Sequence, residues 1–86
     1  MGTPLAEMES LRRSVLATLD DCTGPPCERV RGRVLSTRDA QELWLLRCEV
    51  FQQVASRHCQ AEAAARINAL LPLFEGRLPE RMLVAV

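Results

Sequence analysis

The sequence predicts an all-α fold, a small helical hairpin or three-helix bundle with one long central helix. Two apolar stripes at helical spacing run through the middle of the chain, and residues 38–71 contain neither glycine nor proline. A chain of 86 residues has room for one core, so we expect a single helical domain spanning residues 1–86. The only β-structure for which the sequence leaves room is a minor two-stranded element.

The first helix is expected at about residues 4–20. Thr3 can cap it, and Pro4 suits the first helical position because its fixed φ matches a helix. Apolar residues then recur at three- and four-residue steps and mark a face to be covered: Leu5, Met8, Leu11, Val15 and Leu19. A glycine and two prolines at positions 24–26 predict that the helix ends and that a loop covers residues 21–36.

Within that loop, arginine and valine alternate over residues 29–34. In an extended segment this period of two puts Arg29, Arg31 and Arg33 along one edge, about 6.6 Å apart. Such an edge suits an anion or an acidic partner, although nearby carboxylates could neutralise it. We therefore treat the three arginines as a candidate site for an anion or an acidic partner. If the segment is a strand, the C-terminal run 82–86 is the one other segment with which it could pair.

The long helix is expected over about residues 37–71, with Ser36 or Thr37 as its N-cap. The apolar stripes lose phase near residues 57–60, which leaves a break there open. The proline that follows residue 71 ends the run. A C-terminal turn or short helix is expected within residues 79–86.

The wide apolar face of the long helix exceeds what one short helix can cover, so we expect it to serve as an interface. Leu45 lies among polar neighbours, where it is either an interface residue or one tolerated exposed leucine. The expected occupant is a protein partner or a second copy of the chain. The candidate partner-binding residues are Leu43, Trp44, Leu45, Leu46, Val50, Phe51 and Val54.

The four cysteines indicate free thiols rather than a metal centre or a disulfide framework. On one helix, Cys48 and Cys59 would lie about 16 Å apart, too far for a shared zinc ion or a disulfide. Cys22 and Cys27 flank the proline turn, and whether they pair or bind a metal stays open. No cofactor and no metal site is predicted.

Residue patterns typical of an enzyme are missing from the sequence, so we expect no catalytic residues and no enzyme activity. The one histidine is His58. Neighbouring helical side chains point about 100° apart, so a dyad of His58 with Cys59 needs a broken helix. The four glycines are scattered and form no phosphate-binding loop.

The function expected from these patterns is protein binding by a small helical module, such as an adaptor, chaperone or anti-activator, acting as a homodimer or on a partner. Eleven arginines balance eleven acids, which disfavours nucleic acid as a partner, and no apolar run is long enough to span a bilayer. Acids stand where a secretion signal carries positive charge, so a cytoplasmic location is expected. The alternative is a dimeric helix-turn-helix regulator that reads DNA with residues 51–70.

Overall fold

A computed structural model describes residues 3–86. This part of the chain forms six helices and one 3-10 turn but no strand, so the all-α fold is confirmed and the minor two-stranded element is not formed there. None of these helices is long and apolar enough to cross a membrane. The elements are α1 (Leu5–Ala17), α2 (Pro25–Ser36), α3 (Ala40–Trp44), α4 (Arg47–Arg57), α5 (Gln60–Asn68), α6 (Leu71–Phe74) and the 3-10 turn Glu80–Met82.

Helix α1 begins and ends inside the predicted bounds of 4–20. Pro4 occupies the N-cap position, and its carbonyl accepts the backbone N–H of Met8 at 2.9 Å. Thr3 does not cap α1 as expected. Its hydroxyl oxygen instead accepts the backbone N–H of Ala40 at 2.9 Å, which ties the start of α1 to the start of α3.

The segment 21–36, predicted to be a loop with a short strand, contains helix α2, so both predictions are wrong. Gly24, which precedes the helix, has a φ of 103°. Two prolines occupy the first two positions of the helix. Backbone N–H groups at these positions have no acceptor within a helix, so the N–H groups that proline lacks are not missed. Residues at helical spacing then face the core: Cys27, Val30 and Val34. The two prolines therefore start a helix instead of prolonging a loop.

The long helix predicted over residues 37–71 is divided into α3, α4, α5 and the short α6. Its predicted N-caps are also wrong. The hydroxyls of Ser36 and Thr37 turn back onto carbonyls of α2, so both residues belong to the end of that helix. The N-cap of α3 is Asp39, whose Oδ1 accepts the backbone N–H of Glu42 at 2.8 Å.

Three breaks separate the four pieces, and side chains satisfy backbone groups at the first two. At the first, the carbonyl of Trp44 accepts a hydrogen bond from the guanidinium of Arg47 at 3.0 Å, which satisfies a helix-end acceptor by a side chain. At the second, His58 has φ −121° and ψ −95° and Cys59 is extended. The Cys59 sulfur then caps α5 by accepting the backbone N–H of Glu62 at 3.4 Å. The break considered near residues 57–60 is confirmed.

The core is a single cluster of buried apolar side chains drawn from every helix. Trp44 and Phe74 are its two largest fully buried members, and their ring centroids lie 4.8 Å apart at an interplanar angle of 45°. The indole Nε1–H of Trp44 donates to the carbonyl of Met82 at 2.8 Å, so the core also anchors the C-terminal 3-10 turn. That turn lies within the predicted segment 79–86.

Candidate functional site

Four residues expected to face a partner are core residues of the single chain. The exposed fraction is 1% for Leu43 and Trp44 and 0% for Val50 and Val54. The apolar face of the central segment looked uncovered because α2 was not anticipated, and α2 supplies part of its cover. These four residues are therefore removed from the candidate interface.

The other three predicted partner-binding residues lie at the surface in different places. Leu45, in the turn between α3 and α4, is 60% exposed. Leu46 and Phe51 are half-buried and pack against the core from outside. Leu46 lines a groove between α2 and α4, whereas Phe51 lines a second groove between α4 and α5. The predicted seam is therefore split between two surfaces.

The groove between α2 and α4, here called the α2–α4 groove, has a volume of about 870 Å³. Its apolar lining residues are Pro26, Val30 and Leu46. Arginines stand on the α2 side and glutamates on the α3 and α4 side, so the rims carry opposite charges. Its lining residues are Pro26, Arg29, Val30, Gly32, Arg33, Ser36, Thr37, Glu42, Leu46, Glu49, Gln52 and Gln53.

The three arginines predicted to share one edge do not do so. Because α2 is a helix, Arg29 and Arg33 share a face. Arg31 is rotated by about 200° around the helix axis from Arg29 and so lies on the opposite face. The Arg31 guanidinium donates to the carbonyls of Leu19 and Cys22, just past the end of α1. Arg31 therefore serves the fold, and only Arg29 and Arg33 remain at the candidate site.

Charge is distributed unevenly along the α2–α4 groove. Arg33 crosses it to form an ion pair with Glu49, which neutralises the middle. The exposed guanidinium of Arg29 has no hydrogen-bond or ion-pair partner within residues 3–86, and the carboxylate of Glu42 accepts only the backbone N–H of Arg38 there, at 3.4 Å. One positive and one negative group are therefore left for an occupant.

The groove between α4 and α5 has a volume of about 710 Å³ and a more apolar lining that includes Phe51, Ala55 and Ile67. The chain's own C-terminal segment lies along its edge. The Asn68 carboxamide accepts the backbone N–H of Val86 at 2.8 Å and donates to the Val86 carbonyl at 3.1 Å. This groove is thus partly occupied by the protein itself.

A cluster of Asp21, His58 and Arg66, which the sequence reasoning missed, joins the end of α1 to α5. Arg66 contacts both carboxylate oxygens of Asp21, at 2.8 and 2.9 Å, and His58 Nε2 lies 2.6 Å from Asp21 Oδ2. The hydrogen bonds from Arg66, and then those from His58, hold the pKa of Asp21 well below its usual range. Asp21 correspondingly raises the pKa of Arg66. A carboxylate held so firmly in its charged form is suited to bracing two helices and is a poor proton acceptor.

The break between α4 and α5 removes the geometric objection to a His58–Cys59 dyad, but both side chains have other partners. His58 Nε2 faces Asp21, and the Cys59 sulfur caps α5. Cys22 and Cys27 are buried free thiols, whereas the other two thiols are exposed. Burial raises the pKa of Cys22. Within residues 3–86 no three metal-ligating side chains cluster.

No protein family, no curated protein and no solved structure matches this chain. The geometry of the surfaces described above is therefore the basis for proposing a function.

Proposed function

We propose that this protein is a small helical protein-interaction module of the adaptor, chaperone or anti-activator type, and that the α2–α4 groove is its binding surface. The observation that carries the proposal is the combination of an open groove with an apolar lining and rims of opposite charge. Grooves of this form accept amphipathic helices, whose apolar side contacts the lining while polar side chains meet the rims.

The dimensions of the groove support a helical occupant. Its lining on α2 extends from Pro26 to Ser36, about 15 Å along the helix axis. That length corresponds to roughly three helical turns. Half-buried Leu46 offers the apolar contact, and the unpaired guanidinium of Arg29 offers a charge contact that fixes the register of an acidic group on the partner.

Crosslinking in living cells tests this proposal directly. A photo-crosslinking residue is placed at Ser36, which is exposed and lines only this groove, and a matched control at Ala65 on the exposed side of α5. We expect Ser36 to yield a discrete crosslinked protein band and Ala65 to yield none. In the Arg29→Glu variant the band should weaken. Equal labelling from both positions, or none from either, would show that the groove is not a binding surface.

The helix-turn-helix alternative retains one favourable observation, since α4 and α5 are joined by a turn of only two residues, His58 and Cys59. Little positive charge on α5 is free to contact DNA phosphates, because Arg66 already bonds to Asp21 and to the carbonyl of Thr18. Titration of duplex DNA at low salt decides the question. Binding that loses salt dependence in an Arg57→Ala variant would favour this alternative over the groove.

A further inference from the structure

We propose that the occupant of the α2–α4 groove is a second copy of this chain, bound antiparallel about a two-fold axis. The inference rests on the proposed function in one respect, that the groove is a protein-binding surface. It adds the identity of the partner and the geometry of the contact.

Helices α2 and α4 run antiparallel. The end of α2 is joined to α3 by three residues, so it lies beside the start of the α3–α4 segment. At the other end, the thiol of Cys22, just before α2, contacts the carbonyl of Gln53 late in α4. Arg29 therefore lies toward one end of the groove and Glu42 toward the other, with the neutral pair of Arg33 and Glu49 between them.

This order of charges is self-complementary. When two copies face each other about an axis that crosses the groove at its middle, Arg29 of one copy faces the partner's Glu42, and the reverse contact forms at the other end. Both pairs are of opposite charge. A parallel arrangement would place Arg29 against Arg29 and Glu42 against Glu42, so the pattern selects the antiparallel one.

Gly32 gives an independent reason for a close contact at α2. It lies in the helix interior, is exposed, and a Cβ built on it would meet nothing within 4 Å. No contact within the described chain therefore requires glycine at a position where alanine makes a more stable helix. At the crossing point of two helices a glycine lets the backbones approach closely, because no side chain separates them. The groove lining places Gly32 beside Arg33, near the middle where the axis would pass.

Arg33 and Glu49, at the middle of the groove, form an ion pair within each copy. Their charges already neutralise each other, so burying them at the interface has a smaller desolvation cost.

Sedimentation of charge-swapped variants tests the dimer. The wild type, Arg29→Glu, Glu42→Arg and the double variant carrying both changes are compared over a range of concentrations. Each single change places like charges together twice in the dimer, so we expect about a tenfold or greater rise in the dissociation constant. The double variant restores both pairs with reversed sign and should recover the wild-type constant, which also shows that the reversed side chains are compatible with folding.

Two controls complete the experiment. Arg13→Glu makes the same charge change at an exposed site on α1 outside the groove and should leave dimerisation unchanged. Gly32→Leu should abolish dimerisation, although a Cβ at this exposed position meets nothing within 4 Å in the monomer. Helicity measured by circular dichroism confirms that each variant is folded.

The outcomes separate this inference from the proposed function. A wild type that stays monomeric, with crosslinks from Ser36 to a different protein, overturns the dimer and leaves the binding groove standing. A monomer that also gives no crosslink overturns both. A dimer that tolerates the single charge reversals, or that the double variant fails to restore, overturns the antiparallel geometry.

Discussion

Two glycine-to-alanine substitutions provide a stringent test of how this fold uses its backbone. Gly32 has ordinary helical geometry in α2 and free space around its Cβ, whereas Gly76 has φ of 80° and also has free space. Neither substitution creates a steric clash, so only backbone conformation distinguishes them. We therefore expect the two variants to change stability in opposite directions.

The magnitudes follow from backbone preferences. Alanine at Gly32 should raise the free energy of unfolding by about 0.8–1 kcal/mol, the difference between the two residues in a helix interior. For a domain of this size that corresponds to a rise of roughly 4–8 °C in Tm. Alanine at Gly76 must adopt the left-handed region at a cost of about 1–2 kcal/mol, partly offset by a less flexible unfolded chain, for a net loss of roughly 0.5–1 kcal/mol.

Thermal and urea unfolding followed by circular dichroism measure both changes. The experiments are repeated at several protein concentrations, because a dimer weakened at Gly32 would lower the apparent stability only at high concentration. Changes of the same sign at low concentration, where the monomer dominates, would refute the assignment of one glycine to a helix and the other to a left-handed turn.

Three further predictions concern other parts of the fold. The pKa of Asp21 is lower in the folded state than in the unfolded state, so its stabilising contribution is fully present above about pH 4 and is lost as the pH falls toward the folded pKa. In an Asp21→Asn variant, the free energy of unfolding should therefore fall less steeply as the pH is lowered below about 4. Trp44→Phe leaves the Met82 carbonyl without its indole donor and should lower the free energy of unfolding by roughly 2 kcal/mol, measured by urea titration; an unchanged midpoint would contradict the hydrogen bond. A thiol reagent should modify the exposed Cys48 and Cys59 quickly and the two buried thiols only after unfolding, and four equally fast reactions would refute the burial.

The sequence predicted the helical class because apolar spacing and the glycine-free middle segment are local signals. The sequence predicted a loop where α2 forms, and the reason for this error can be identified. Prolines at positions 25 and 26 favour the end of a helix and a loop, although at the first turn of a new helix they are well tolerated. The helical spacing of Cys27, Val30 and Val34 was visible, but the alternation of arginine and valine competed with it and suggested a strand.

The wrong prediction for α2 also led to a wrong set of candidate interface residues. Without that helix, the face bearing Trp44 and Val54 looked uncovered, and buried residues were assigned to an interface. The α2–α4 groove itself could not be predicted, because it depends on the packing of two helices that are separated along the chain by residues 37–46, which include α3. The contact between Asp21 and Arg66 likewise joins residues 45 positions apart, and no local pattern indicates it.

The arginines that brace this fold act on backbone carbonyls of neighbouring elements. Their links are Arg12 to Thr37, Arg31 to Leu19 and Cys22, and Arg66 to Thr18. Helices of 4 to 13 residues are at best marginal on their own in water. Each one here depends on a guanidinium or an apolar surface supplied from elsewhere in the chain. A peptide excised around any single helix should therefore be a statistical coil, and lysine, which lacks the planar fork, should be a poor replacement at these arginines.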